Sequence, residues 1–316
     1  MPLPSSFVGT SSEPRVAEVD PRWSMAYAAA LDDLAPCYMD TRAARHFLAH
    51  PMFPVCIEWP VAVAMGQRLQ GKGMTLDEFR RSVHATHDVT IHRPIRPPEK
   101  LITHATVVAV ERRRPGAYQV TRLETVDESG APVCTSMYGS IYRGVDVSGD
   151  DKPLTTKSDP PHASAVTTQP RAGAKVRVAG GLAHTYTECA QIWNPIHTDI
   201  KVARNAGLPA LILHGTATLA LAVSRIVHSE AGGDPSRIAR IAGRFTGMVL
   251  MPSDISVRTL SREPFESAEL IHFDVLTQSG EPAISNGAVV LRRLTPRRRG
   301  AWPSRESQSS DRKQGG

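Results

Sequence analysis

Apolar residues recur along this chain with two periods, and both occur in each half. From about residue 215 a 3.6-residue spacing puts Leu219, Val223, Ile226 and Val227 on one face of a long helix. Ahead of it, Asp199 caps a short helix running through Ala206, which Gly207 and Pro209 close. Behind it, apolar or alternating runs over 237–251, 255–260, 269–276 and 282–291 predict strands; the third sets Ile271, Phe273 and Val275 against His272 and Asp274. The first half follows the same grammar. A long helix is expected over 59–69 and strands over 83–94, 100–113, 117–127 and 132–143, with a hairpin turn at Arg114-Pro115-Gly116-Ala117.

Matched positions tie the halves together. Pro36 falls on Pro195, Asp40 on Asp199, Ala44 on Ala203 and Arg45 on Arg204 without a gap, and Ser129-Gly130-Ala131-Pro132 falls on Ser279-Gly280-Glu281-Pro282 between strand-like runs. Helices in front and strands behind indicate α+β units rather than βαβ alternation. The expected fold is a double hotdog made of two tandem repeats, each a long helix wrapped by antiparallel sheet. The two sheets join edge to edge, which removes exposed strand edges. The first repeat covers 1–146 with its first twenty or so residues flexible, and the second covers 175–295. Between them, 147–174 is rich in Asp, Ser, Thr and Pro and is expected as a linker. A basic disordered tail, 296–316, ends the chain.

Composition narrows the class. Hydrophobic residues at 41% and charged residues at 22% suit a globular protein and exclude a collagenous or disordered chain. The net charge of +6 invites a nucleic-acid reading. Most of the excess sits in the tail, where Arg297, Arg298, Arg299, Arg305, Arg312 and Lys313 face only Glu306 and Asp311, so no nucleic-acid partner is expected. The most apolar stretch, 208–223, is too short to span a bilayer and carries His214. The opening residues lack a charged and apolar leader pattern, and a cytoplasmic chain without anchor is expected. Cys37, Cys56, Cys134 and Cys189 form no CxxC pair and read as reduced core cysteines. His46 and His50 read as a surface pair, and no metal site is expected. No GxGxxG, P-loop or GxSxG pattern is present.

The informative stretch is Gln191-Ile192-Trp193-Asn194-Pro195-Ile196-His197-Thr198-Asp199, followed by Gly207 and by His214-Gly215-Thr216. It resembles the MaoC-like hydratase and dehydratase family, whose pattern runs Gly-Asp-x-Asn-Pro-(Ile/Leu)-His-x-Asp, then Ala-x-x-x-Gly, then His-Gly. Asn194, Pro195, Ile196, His197, Asp199, Ala203, Gly207, His214 and Gly215 match. His92-Arg93-Pro94-Ile95-Arg96-Pro97 in the first half also resembles a segment of the family's double-hotdog members. The resemblance spans about 20 to 294 and implies (R)-specific hydration of an enoyl thioester, or dehydration of a 3-hydroxyacyl thioester, without a cofactor. Coenzyme A or an acyl carrier protein would present the acyl group.

Such chemistry needs an acid/base and donors for the thioester oxygen. His197 suits the first role, since imidazole titrates near neutrality. Asn194, held by the Asn-Pro turn, would orient that imidazole or a water, and the free N–H groups at the long helix's start, near Gly215 and Thr216, would hold the oxygen. His214 fixes the turn beside them, and Trp193 lies beside the pocket. Lys201 and Arg204 could meet carrier phosphate. One departure matters: the family's catalytic Asp is Ile192 here. In the first repeat Asp33 takes the acid position, while Tyr38 replaces the histidine and Ala35 the Asn, so neither repeat holds the pair. Asp33 is expected to belong to a separate pocket, and Glu188 is a candidate substitute. The alternatives are an isomerase, cyclase or conjugate-addition enzyme of a biosynthetic pathway, or a non-catalytic acyl-thioester-binding partner. A homodimer is the oligomeric expectation.

Overall fold

The computed structural model describes residues 2–43, 46–70, 74–155 and 173–293. Ala44 and Arg45 of the repeat match, most of the linker and the basic tail lie outside the described residues. The first repeat contains β1 (Leu3–Pro4), β2 (Arg15–Val19), α1 (Pro21–Ala30), α2 (Pro36–Met39), α3 (Pro54–Leu69), α4 (Leu76–Arg80), β3 (Ser82–Ile91), β4 (Glu99–Arg113), β5 (Gly116–Asp127) and β6 (Pro132–Arg143). After β7 (Val147–Ser148), the second contains β8 (Ala174–Val178), α5 (Leu182–Ala190), α6 (Ile200–Asn205), α7 (Gly215–Glu230), β9 (Ile238–Phe245), β10 (Ser253–Phe265), β11 (Ala268–Leu276) and β12 (Pro282–Arg292).

Ten strands form one sheet in the order β2-β4-β5-β6-β3-β9-β12-β11-β10-β8. Its halves mirror each other about the antiparallel β3–β9 pair, where Asp88 lies opposite Ala242. This is the double hotdog, joined edge to edge. The long helices α3 and α7 bury their apolar faces on it, with Ile57 and Cys56 of α3 sharing one core with Leu219, Val223 and Ile226 of α7. α3 begins five residues before its expected start, because Pro54 occupies a first-turn position where its missing N–H costs nothing.

The duplication extends to hydrogen bonds. In the β5–β6 turn Asp127 N donates to Ala131 O and Gly130 N to Asp127 O; in the β11–β12 turn Thr277 N donates to Glu281 O and Gly280 N to Thr277 O. Gly130 and Gly280 hold φ of +83° and +87°, a conformation that favours glycine. The hydroxyls of Tyr27 on α1 and Tyr186 on α5 meet at 3.4 Å across the two repeats.

Three expectations need correction. Residues at the start of the chain, expected as flexible, are built in: Leu3 is fully buried and Leu3–Pro4 pairs with Val147–Ser148. β2 and β8 are edge strands that the sequence patterns did not resolve, and β8 overlaps the end of the expected linker. The run expected over 237–251 ends as a strand at Phe245; beyond it Val249 O accepts from Leu213 N, so the segment serves the site loop instead. No described helix is long and apolar enough to cross a membrane.

Candidate functional site

The Asn-Pro turn shapes the site locally. Asn194 Oδ1 accepts from Ile196 N at 3.4 Å, capping a single 3₁₀ turn over Pro195–His197. Asp199 then caps α6 by accepting from Lys201 N and Val202 N. Asn194 thus spends its side-chain oxygen on the turn, and no bond from it to the His197 ring is found among the described residues. Two other contacts hold the ring. His197 Nδ1 donates to Ile212 O at 2.9 Å, and the ring stacks on His214 at 3.7 Å between centroids.

Those contacts fix the chemistry of the ring. With Nδ1 occupied as a donor, the Nε2 lone pair remains the basic position. Burial pushes the His197 pKa down to about 4, so the imidazole is neutral at physiological pH. His214 is pushed to about 2, first by burial and then by His197. His214 Nε2 lies 3.2 Å from Thr187 Oγ1. The second imidazole, which directly precedes α7, thus supports the first.

α7 begins at Gly215, and the N–H groups of its first turn have no intrahelical acceptor. Thr216 Oγ1 accepts from Tyr186 OH at 3.1 Å, which ties this end to α5. Gly215 has a packing reason as well as the expected one: a Cβ there would come within 3.0 Å of the Phe245 ring.

No carboxylate is found bonded to His197 among the described residues. Ile192 is buried in the apolar core at 4% exposure. Glu188 is exposed and bonds to Trp193, whose indole nitrogen donates to it at 3.4 Å. Trp193 is itself 59% exposed, so it is no core residue. With Thr187, Asn194 and Pro195 these two wall a cleft of about 370 Å³. His197 is not among the residues lining it, though Thr187 joins it to His214. Lys201 and Arg204 are exposed on α6.

The first repeat's equivalents form another cluster. Asp33 is buried and pairs with His228 of α7, with His228 Nε2 3.2 Å from Asp33 Oδ1. It bonds to the far end of α7 and serves a separate place from His197. His50, expected on the surface beside His46, is 1% exposed and lies 3.1 Å from Ser224 Oγ; it follows a 3₁₀ turn and a loop, so helical spacing does not apply. Arg112 is held by Asp151 and by the Val147 and Gly149 carbonyls. Among the described residues no group of three or more His, Cys, Asp or Glu is placed to hold a metal ion. Sequence reasoning missed Thr187, Tyr186 and the Ile212 carbonyl. Only the tyrosine carried a signal, its match to Tyr27 across the repeats.

The chain is a duplicated hotdog with His197 close to the start of its second long helix, and known proteins share this fold. Residues 162–278 match the MaoC like domain, and residues 6–136 match the FAS1-like dehydratase domain region. A UPF0336 protein of Saccharopolyspora erythraea is 30% identical over 159 residues, 48% of this chain and 99% of that protein. The peroxisomal enoyl-CoA hydratase 2 of Arabidopsis thaliana is 27% identical over 186 residues, 55% of this chain, and the match spans 59% of its length. The solved MaoC-like dehydratase of Phytophthora capsici superposes with a TM-score of 0.78 over 93% of this chain and 99% of that one, at 20% identity. The chain belongs to the MaoC-like hydratase and dehydratase family.

Proposed function

We propose that this protein adds water to, or removes it from, the Cα–Cβ bond of an acyl thioester, in the manner of an (R)-specific enoyl-CoA hydratase or 3-hydroxyacyl-thioester dehydratase. The observation that carries this reading is His197, held by Ile212 O through Nδ1 and stacked on the residue that precedes α7. In hydration, Nε2 takes a proton from water as oxygen bonds to Cβ. The electron pair moves toward the thioester carbonyl, whose oxygen the Gly215 and Thr216 N–H groups receive. The imidazolium returns the proton to Cα. Coenzyme A or an acyl carrier protein bears the acyl group, and Lys201 and Arg204 meet its phosphate. The proposed assembly is a homodimer.

The buried Ile192 favours a second reading. With no carboxylate found bonded to His197 among the described residues, the same pocket would suit an isomerase, cyclase or conjugate-addition enzyme, or a non-catalytic thioester binder. Crotonyl-CoA hydration, followed by loss of the enoyl absorbance, separates the two. The hydratase reading expects turnover by wild type that His197→Ala lowers by about 100-fold or more. An inactive wild type together with an active Ile192→Asp variant would overturn it in favour of the second.

A further inference from the structure

A row of rings runs from the start of α7 into the middle of the sheet, and the chemistry above does not use it. Phe245 on β9 packs against Gly215. His84 on β3 meets Phe245 edge-on at 4.7 Å between centroids and stacks on Tyr138 of β6 at 3.7 Å. His87 lies 5.4 Å further along. Phe245, His84 and Tyr138 are half-buried, whereas His87 is 1% exposed.

His87 is polar and unmatched. Neither of its ring nitrogens has a hydrogen-bond partner among the described residues, and neither does Nε2 of His84. Buried polar atoms are nearly always paired, so these call for an occupant. Burial pushes the His87 pKa down to about 4 and keeps the ring neutral. A neutral imidazole offers one N–H donor and one lone pair.

The fold does not demand these rings. Ala49 N donates to Ile95 O as Leu213 N donates to Val249 O, which sets the correspondence between the repeats in this region. The same spacing carries His87 onto Ile241 and His84 onto Ile238, both buried and apolar. The imidazoles stand on β3 of the first repeat, where their row of rings reaches the start of α7 through Phe245. Their isoleucine counterparts stand on β9 of the second repeat.

We propose that His84 and His87 form a subsite for a hydroxyl at the far end of the acyl group, making hydroxylated acyl thioesters the ligand class. A hydroxyl both donates and accepts, which matches a neutral imidazole; a carboxylate only accepts and would face the ring's lone pair. Phe245 packs along the intervening methylenes. The assignment rests on the thioester reading given above and concerns its specificity.

Binding of saturated thioesters tests it without needing turnover. Butanoyl-, hexanoyl- and octanoyl-CoA are each titrated calorimetrically against the ω-hydroxy counterpart. At the length that reaches His87 the hydroxylated member should bind at least about tenfold tighter, because a site with unmatched polar groups discriminates against the analogue lacking the partner. His87→Leu should erase that preference and His87→Gln, which keeps a donor and an acceptor, should retain part of it. Equal affinities at all three lengths in wild type would mean that water alone fills the subsite, overturning the inference and leaving the thioester reading in place. A preference that persists in His87→Leu would also overturn it. No binding of either member at any length would remove the thioester reading and the inference together.

Discussion

The basicity of His197 is set first by burial, and among the described residues no carboxylate is found bonded to it. Its low pKa keeps Nε2 unprotonated down to about pH 4. Crotonyl-CoA turnover should therefore hold on the acid side and fall only as pH drops through about 4, where imidazolium forms. In Ile192→Asp a nearby negative charge would favour the imidazolium and move that acid limb upward. A pH profile of kcat/KM in the two proteins checks both, and an unchanged limb would show that the carboxylate does not sense the ring. His197 was legible from its spacing after Asn194-Pro195 and before Asp199, because the turn imposes that spacing locally. Thr187 and the Ile212 carbonyl were not, since they reach the imidazoles through the fold. The cap made by Asn194 was hidden for a related reason: the motif shows the residue type, and only geometry shows that its oxygen accepts from Ile196 N.

At the level of elements, the duplication was visible where it had to preserve turns and helix starts, as at Gly130 and Gly280. It was hidden in β2 and β8, whose five residues are too short for a periodicity to emerge. The edge-to-edge joint was expected, but the strands that make it were hidden, because β3 and β9 lie more than a hundred residues apart. That joint carries a two-pronged ion pair, with Arg240 Nε 2.8 Å from Asp88 Oδ1 and the other guanidinium arm on Oδ2. Both side chains are largely buried, at 21% and 13% exposure. Replacing Arg240 by Ala leaves a sheltered carboxylate facing one partner fewer. It should lower unfolding free energy by about 2 kcal/mol. Urea melts of Arg240→Ala and Asp88→Asn would measure this, and midpoints equal to wild type would show that backbone pairing alone holds the repeats together.

Across the whole molecule, the fold shelters an unusual set of titratable groups, and their signs predict its response to acid. His50, His87 and His197 are pushed down to about 4 by burial and His214 to about 2. In the unfolded chain each returns to about 6.5. Between pH 6.5 and about 4 the unfolded state thus binds protons that the folded state refuses, and stability falls as pH falls. Glu58 acts in the opposite sense. It is buried on α3 with Oε1 accepting from Ser136 Oγ at 2.5 Å, and burial raises its pKa to about 7. The folded state keeps its proton where the unfolded chain, near 4.5, releases it, so this group erodes stability as pH rises from 4.5 to 7. Four imidazoles outweigh one carboxyl, and the urea midpoint should drop steadily from pH 6.5 toward 4. His87→Leu should flatten part of that slope by removing one proton site, whereas Glu58→Gln should steepen it. A wild-type midpoint constant over this range would show that the rings take up protons inside the fold.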